Sequence, residues 1–255
     1  MMTSYWQAVV GHGNANNGNS NSEHYDVLNN VLRERYSCRG FLSDCVPRAT
    51  IERILVAAQQ TASWCNAQPW QIAILTGAAT IRTRERLLEY VQNVRSQPDL
   101  AWPLGYQGVY QERRRECGLQ LYSAVGVARG DTRAAEQQRL KNFRFFGAPH
   151  VAIVSTDQTL GTYGAVDCGA YVANFALAAR SLGVAAIAQA ALAAYPAFWR
   201  KQLGLSEDRL VVCGISFGYE DPQHPANGFR TSRAEIAQAV NWIDDRDASP
   251  RRQMA

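Results

Sequence analysis

No Cys-x-x-Cys pair occurs in this 255-residue chain, and no Cys/His cluster has zinc-ligand spacing, so its six cysteines do not announce a structural zinc site or a dithiol. Cys168 lies in a helix-like run and Cys213 in a strand-like apolar one, which predicts buried free thiols. Met1 to Ser22 lacks a basic segment followed by an apolar one, the mark of a secretory signal. Apolar stretches are too short or too interrupted to cross a bilayer, so no membrane partner is expected and a reducing cytoplasm is the expected location. The net charge of +4 comes without clustered Lys and Arg, which argues against nucleic acid. No Gly-x-Gly-x-x-Gly with a following acid marks a dedicated dinucleotide domain.

What is present is ordinary globular composition, 47% hydrophobic and 19% charged, in a chain long enough for one well-buried domain. Its basic residues are mostly Arg, which suits planar binding of phosphate or carboxylate. Residues 1–22 end in a polar, low-complexity stretch and are expected to be a disordered tail, residues 23–243 the folded domain, and residues 244–255 a flexible tail. Periodicity predicts helices at Tyr25–Arg35, after Pro47, at Thr80–Arg95, Tyr110–Val127, Thr132–Phe145, Gly164–Leu182 and Arg233–Trp242. Strands are predicted at Trp70–Leu75, Val151–Ser155, Ala185–Gln189 and Leu210–Tyr219. The expected class is α+β, a three-layer mixed sheet covered by helices.

Four segments could carry chemistry. Gly214-Ile215-Ser216-Phe217-Gly218 matches a serine nucleophile elbow, but the elbow needs a helix directly after the serine. Here Pro222 and Pro225 follow, and His224 is too near in sequence, so the hydrolase is rejected in favour of strand glycines. Arg35-Tyr36-Ser37-Cys38-Arg39 puts two guanidiniums and a hydroxyl on one face of an extended segment, which suits a phosphate; a solvated helix end is the plainer reading. Ser63-Trp64-Cys65-Asn66-Ala67-Gln68-Pro69-Trp70 brings hydrogen-bonding groups beside an aromatic, either for a polar heterocycle or as a helix cap with Trp70 in the core. Asn227-Gly228-Phe229-Arg230-Thr231-Ser232-Arg233 again sets arginines beside hydroxyls, as an anion site or a solvated basic loop.

Taken in order, Arg-x-Ser-x-Arg-x-Phe, Ile-x-x-Ile-Leu-x-x-Ala, Ser-x-x-Asn-x-Gln-Pro-Trp, the Ala-rich helix, Gly214–Tyr219 and the terminal arginines resemble the FMN-dependent nitroreductase family across Tyr25 to Trp242. Asn142–Pro149 and Asn227-x-Phe-Arg-Thr-x-Arg are similar to its nitrobenzoate reductase branch. The resemblance implies a nitroreductase-like fold and a homodimer with FMN at the interface, with NADH or NADPH as donor. It further implies that Arg35, Ser37 and Arg39 contact phosphate, ribityl chain or pyrimidine edge, with Tyr36 contributing backbone. Arg230 and Arg233 close on the phosphate, the turn of Ser63, Trp64 and Asn66 comes from the partner subunit, and Gln189, Ala190 and Ala191 present backbone amides to the ring.

Three positions depart from common family patterns: Tyr36 stands where many relatives have Arg, Trp64 is bulky where small residues are usual, and Ala190 replaces Glu. The implied reaction is ping-pong reduction of a small aromatic acceptor, most naturally a nitroaromatic such as a nitrobenzoate, with flavin-based chemistry, no catalytic side chain and no metal. Arg39 is the group expected to stabilise negative charge on the ring. Trp102, Tyr106, Tyr110 and Arg113 are the residues expected to choose the acceptor, with a solvated helix face as the alternative for the arginine. Competing readings are reductive dehalogenation, quinone reduction, azoline oxidation, flavin destruction, or a flavin-binding protein without turnover.

Overall fold

The computed structural model describes residues 17–243. In chain order the elements are α1 (Asn17–Glu34), α2 (Arg48–Ala58), β1 (Gln71–Thr76), α3 (Gly77–Asn93), α4 (Gly108–Ala124), α5 (Thr132–Leu140), β2 (His150–Asp157), α6 (Gly161–Ser181), β3 (Ala185–Gln189), α7 (Pro196–Leu203) and β4 (Arg209–Gly218).

The strands form one sheet in the order β1-β2-β4-β3. Side chains alternate across β2 because successive residues of a strand face opposite ways. Ala152 and Val154 join the core under α2 and α6, with Ile54, Tyr171, Phe175 and Phe217. Val151 and Ile153 join the opposite core, with Leu87, Phe145, Leu192, Trp199 and Val211. The sheet is therefore covered on both faces, which makes three layers and explains why β2 reads as an unbroken apolar run.

Close backbone approach sets the roles of the strand glycines. A Cβ at Gly214 would lie 2.3 Å from Leu192 Cδ1, and one at Gly218 would lie 2.6 Å from Pro149 Cδ. Ser216 between them is fully buried within β4, and its hydroxyl donates to Gln189 Oε1. These are packing glycines, and the serine is a structural hydroxyl.

Several expectations need correction. All pairings of the four strands are antiparallel, so the sheet is not mixed; the parallel contact is an isolated bridge between Ser37 and Ala186. Apolar runs do not encode strand direction, and the helical connection from β1 to β2 is long enough to return the chain either way. The polar stretch at Asn17–Ser22 belongs to α1. Once residues further along have nucleated a helix, extending it fixes only one residue per hydrogen bond. Residues 1–16 and the expected tail at 244–255 lie outside the described residues.

Arg233–Trp242 forms only a single turn, Ile236–Gln238, instead of a helix. Ile236 and Trp242 are exposed there, so helical spacing has no face to bury. Helix α5 stops at Leu140, and a separate turn at Phe145–Gly147 has Phe145 and Phe146 in left-handed backbone. Helix α7 was not anticipated, although Pro196 opens it and left-handed Gly204 closes it, which are ordinary boundary signals.

Candidate active site

The arginine motif leaves α1 and runs as extended chain along the outer side of β3. Ser37 bridges to Ala186, and the Cys38 N–H donates to the Ala186 carbonyl at 3.3 Å. The alternation expected of an extended segment appears: Cys38 and Gly40 are buried, while Arg35, Ser37 and Arg39 are half-buried on the other side.

Beyond β4 the chain folds back against this segment. The Asn227 side chain accepts from the Arg39 N–H at 2.8 Å and donates to the carbonyls of Gly40 at 2.8 Å and Asp221 at 2.9 Å. One buried amide thus ties residues 188 positions apart and uses both its ends. Phe41 also pairs with Glu220, and the Leu42 N–H donates to Tyr219.

The result is a cavity of about 570 Å3 lined by Arg35, Tyr36, Ser37, Arg39, Arg230 and Arg233, together with Leu32, Arg33, Cys117, Phe229 and Thr231. Among the described residues, none of its five arginines has a carboxylate within ion-pair distance. Like charges gathered in one cavity repel, a cost that a bound anion offsets. Burial holds the Arg39 guanidinium below its ordinary pKa, and its Nη1 donates to the Ser37 carbonyl at 3.1 Å. The Tyr36 phenol is raised well above its usual range, first by burial and then by its hydrogen bond to Glu220. Burial likewise pushes the Cys38 thiol up to about 11. No His, Asp or Glu lines the cavity.

Other expected site residues lie apart from this cavity. Ser63, Trp64 and Asn66 sit on an exposed turn held to α6, where the Trp64 N–H donates to Asp167 at 3.2 Å and its ring meets Tyr163 edge-on at 4.3 Å. Cys65, Asn66 and Gln68 have φ of 51°, 55° and 47°, a local strain that Ser63 offsets in part by accepting from the Gln68 N–H. Trp70 is buried against Tyr171, its centroid 5.0 Å away, as the core reading expected.

Gln189 is buried at the end of β3, where its side chain bonds Asn142 and Ser216 and fixes the start of the turn Ala190–Ala194. Ala190 is exposed and Ala191 half-buried. Trp102, Tyr106 and Tyr110 are exposed and do not line the arginine cavity. Arg113 lines an adjoining cavity of about 590 Å3 that shares Cys117, Thr231 and Arg233 with it.

Asn227 and Cys117 were not expected in the site. The asparagine stood inside a quoted motif but showed no sign of its bracing role. Cys117 lies on α4 and reaches the site only through folding. Among the described residues no helix is long and apolar enough to cross a membrane, and no group of His, Cys, Asp or Glu is placed to hold a metal ion.

A three-layer α+β domain thus carries at its sheet edge a cavity whose guanidiniums, unpaired among the described residues, have the chemistry to meet an anion. Residues 32–219 match the model of the nitroreductase family. Nitroreductase NfnB of Mycolicibacterium smegmatis is 35% identical over 213 residues, 83% of this chain and 91% of that protein. A 4-nitrobenzoate reductase of a Nocardioides species is 33% identical over 227 residues, 87% of this chain and 92% of its own. The crystal structure of the FMN-dependent NfnB from Mycobacterium smegmatis in complex with NADPH superposes with a TM-score of 0.83 at 33% identity, over 87% of this chain and all of that one. The chain belongs to the nitroreductase family of oxidoreductases and has the nitroreductase-like fold.

Proposed function

We propose that the protein is an FMN-dependent NAD(P)H nitroreductase that reduces small nitroaromatic acceptors, nitrobenzoates foremost, by ping-pong turnover. The carrying observation is the convergence of Arg35, Arg39, Arg230 and Arg233, from opposite ends of the chain, on one cavity without a carboxylate partner. That donor set fits the phosphate and polar edges of FMN, because guanidinium forks bind phosphate with charge-assisted hydrogen bonds. The relatives point the same way, being nitroreductases and nitrobenzoate reductases by name.

Bound FMN would supply the two-electron transfer between nicotinamide and acceptor. Arg230 and Arg233 hold the phosphate with Arg35 and Ser37. Arg39, already stripped of part of its water, presents a fixed cation to the pyrimidine edge, where such a charge is worth more than in bulk solvent. Gln189 anchors the start of the Ala190–Ala194 turn, whose Ala190 and Ala191 amides would meet the ring. With no His, Asp or Glu among the described residues lining the cavity, protons come from solvent.

Ser63, Trp64 and Asn66 stand apart from the cavity of their own chain and act on the partner's flavin in a homodimer. The exposed apolar surface of α1 and α6, with Tyr25, Leu28, Leu32, Tyr163 and Val166, is the face that would be buried. Acceptor selection belongs to Trp102, Tyr106, Tyr110 and Arg113.

The test is spectroscopic. Purified protein should be yellow and release FMN on denaturation. It should bleach anaerobically with NADH or NADPH and recolour on addition of 4-nitrobenzoate. A colourless protein that takes up no added FMN overturns the reading; bleaching with recovery only on quinone or halophenol keeps the flavin and replaces the acceptor. Unchanged acceptor selectivity in both Trp102→Ala and Tyr106→Ala removes the selection role.

A further inference from the structure

Tyr36 sits in the middle of the arginine motif and lines the cavity, yet it brings no positive charge. Both ends of its side chain are engaged. Its hydroxyl donates to Glu220 Oε2 at 2.7 Å. Glu220 lies 3.7 Å from Arg180 Nη1, and Arg180 Nη2 lies 3.2 Å from Glu34 Oε2, so α1, α6 and the exit of β4 all hold the phenol in place. Its ring face lies against Arg230, whose Cζ is 3.6 Å from the ring centroid.

Arg230 needs such a support. It is exposed and belongs to a stretch outside any helix or strand. A long arginine on such a segment loses rotamer freedom when a ligand immobilises it. Here Nη1 already donates to the carbonyls of Asn227 at 2.7 Å and Phe229 at 2.9 Å, while the ring covers the guanidinium face. Stacking uses the face of the guanidinium and leaves the in-plane N–H edge available. The contact therefore orders the cation without consuming the donors that an anion needs.

We infer that Tyr36 is a positioning residue for phosphate recognition: its ring presents Arg230, already ordered, to the anionic end of the ligand. The inference rests on the FMN reading above. A tyrosine in the motif then serves the site through a cation brought from the far end of the chain.

The experiment compares FMN with riboflavin, which lacks only the phosphate, by titrating each into the full-length chain freed of flavin. Tyr36→Leu should weaken FMN about tenfold and leave riboflavin unchanged. Tyr36→Phe, which keeps the ring, should bind both as the wild type does. Arg230→Ala, which removes the cation itself, should weaken FMN at least as much, and the double variant should be no weaker than Arg230→Ala alone, because Tyr36 acts only through that cation.

Arg230→Lys keeps the charge but not the planar fork, and reads the contact from the surface side even if Tyr36→Leu does not fold; a loss near that of Arg230→Ala is expected. Equal weakening of FMN and riboflavin in Tyr36→Leu, independent losses in the double variant, or wild-type FMN affinity in Arg230→Lys would each overturn the inference. A wild-type protein that does not distinguish FMN from riboflavin brings down the phosphate reading itself, and the role of Tyr36 with it.

Discussion

At the scale of single residues, two positions off the arginine cavity, His150 and Gly40, set testable limits on the fold's stability. His150 is buried, stacks on Phe217 and accepts from the Val46 N–H at 2.9 Å through Nε2. Burial lowers its pKa below the ordinary 6.5, so the unfolded chain binds the proton more readily than the folded one. Stability contributed by the neutral ring is complete above about pH 6.5 and is lost as pH falls below it. Thermal melts between pH 7.5 and 5 should show this loss, and His150→Phe, which keeps the ring but cannot be protonated, should flatten the slope. Gly40 is the second case: a Cβ there would lie 2.2 Å from His224 Cγ. Gly40→Ala should cost about 1 to 3 kcal/mol by overpacking and should weaken FMN binding, since it pries the Asn227 segment from the arginine motif. A denaturant midpoint and FMN affinity both equal to wild type would show that the loop yields freely.

At the scale of elements, polar clasps hold irregular segments to the sheet. Asp99 pairs with Arg200 of α7 at 2.8 Å and accepts from the Val211 N–H of β4 at 2.8 Å, and both charged side chains are only 12% exposed. This clasp anchors the loop that precedes α4. Removing Asp99 leaves Arg200 with the exposed Glu207 at 3.7 Å and the Arg209 carbonyl at 3.0 Å, and leaves the Val211 N–H without its acceptor. Asp99→Ala should therefore destabilise by about 1 to 3 kcal/mol, measured by chemical denaturation. A change below about 1 kcal/mol would mean that the pair is effectively solvated. The same logic explains the failed helix at Arg233–Trp242: its apolar positions meet no partner, whereas those of α2 and α6 do.

At the scale of the molecule, α1 and α6 leave several large apolar side chains exposed, among them Tyr25, Leu28, Tyr163 and Val166. Tyr163 is 58% and Val166 57% exposed on adjacent turns of α6, beside the strained Trp64 turn. A charge placed there tests the proposed homodimer. Val166→Glu should shift the protein to monomer in sedimentation equilibrium and release FMN, while the circular dichroism of the domain stays intact. A variant that remains dimeric and yellow would place the subunit interface elsewhere.

The sequence alone determined the three-layer class, all four strands to within about a residue or two, and the two arginine clusters, because burial periodicity and charge-bearing motifs are local properties. Strand direction, the fate of the polar stretch at Asn17–Ser22 and the collapse of the last helix were not legible, since each depends on which distant surface is available for packing. That Arg35 and Arg39 share a cavity with Arg230 and Arg233 was implied by the family resemblance but by no local pattern, and only tertiary structure brings it about. The bracing by Asn227, the stacking of Tyr36 and the arrival of Cys117 are contacts across 78 to 194 positions of chain. No local pattern encodes such contacts, because the free energy that selects them belongs to the packed core as a whole.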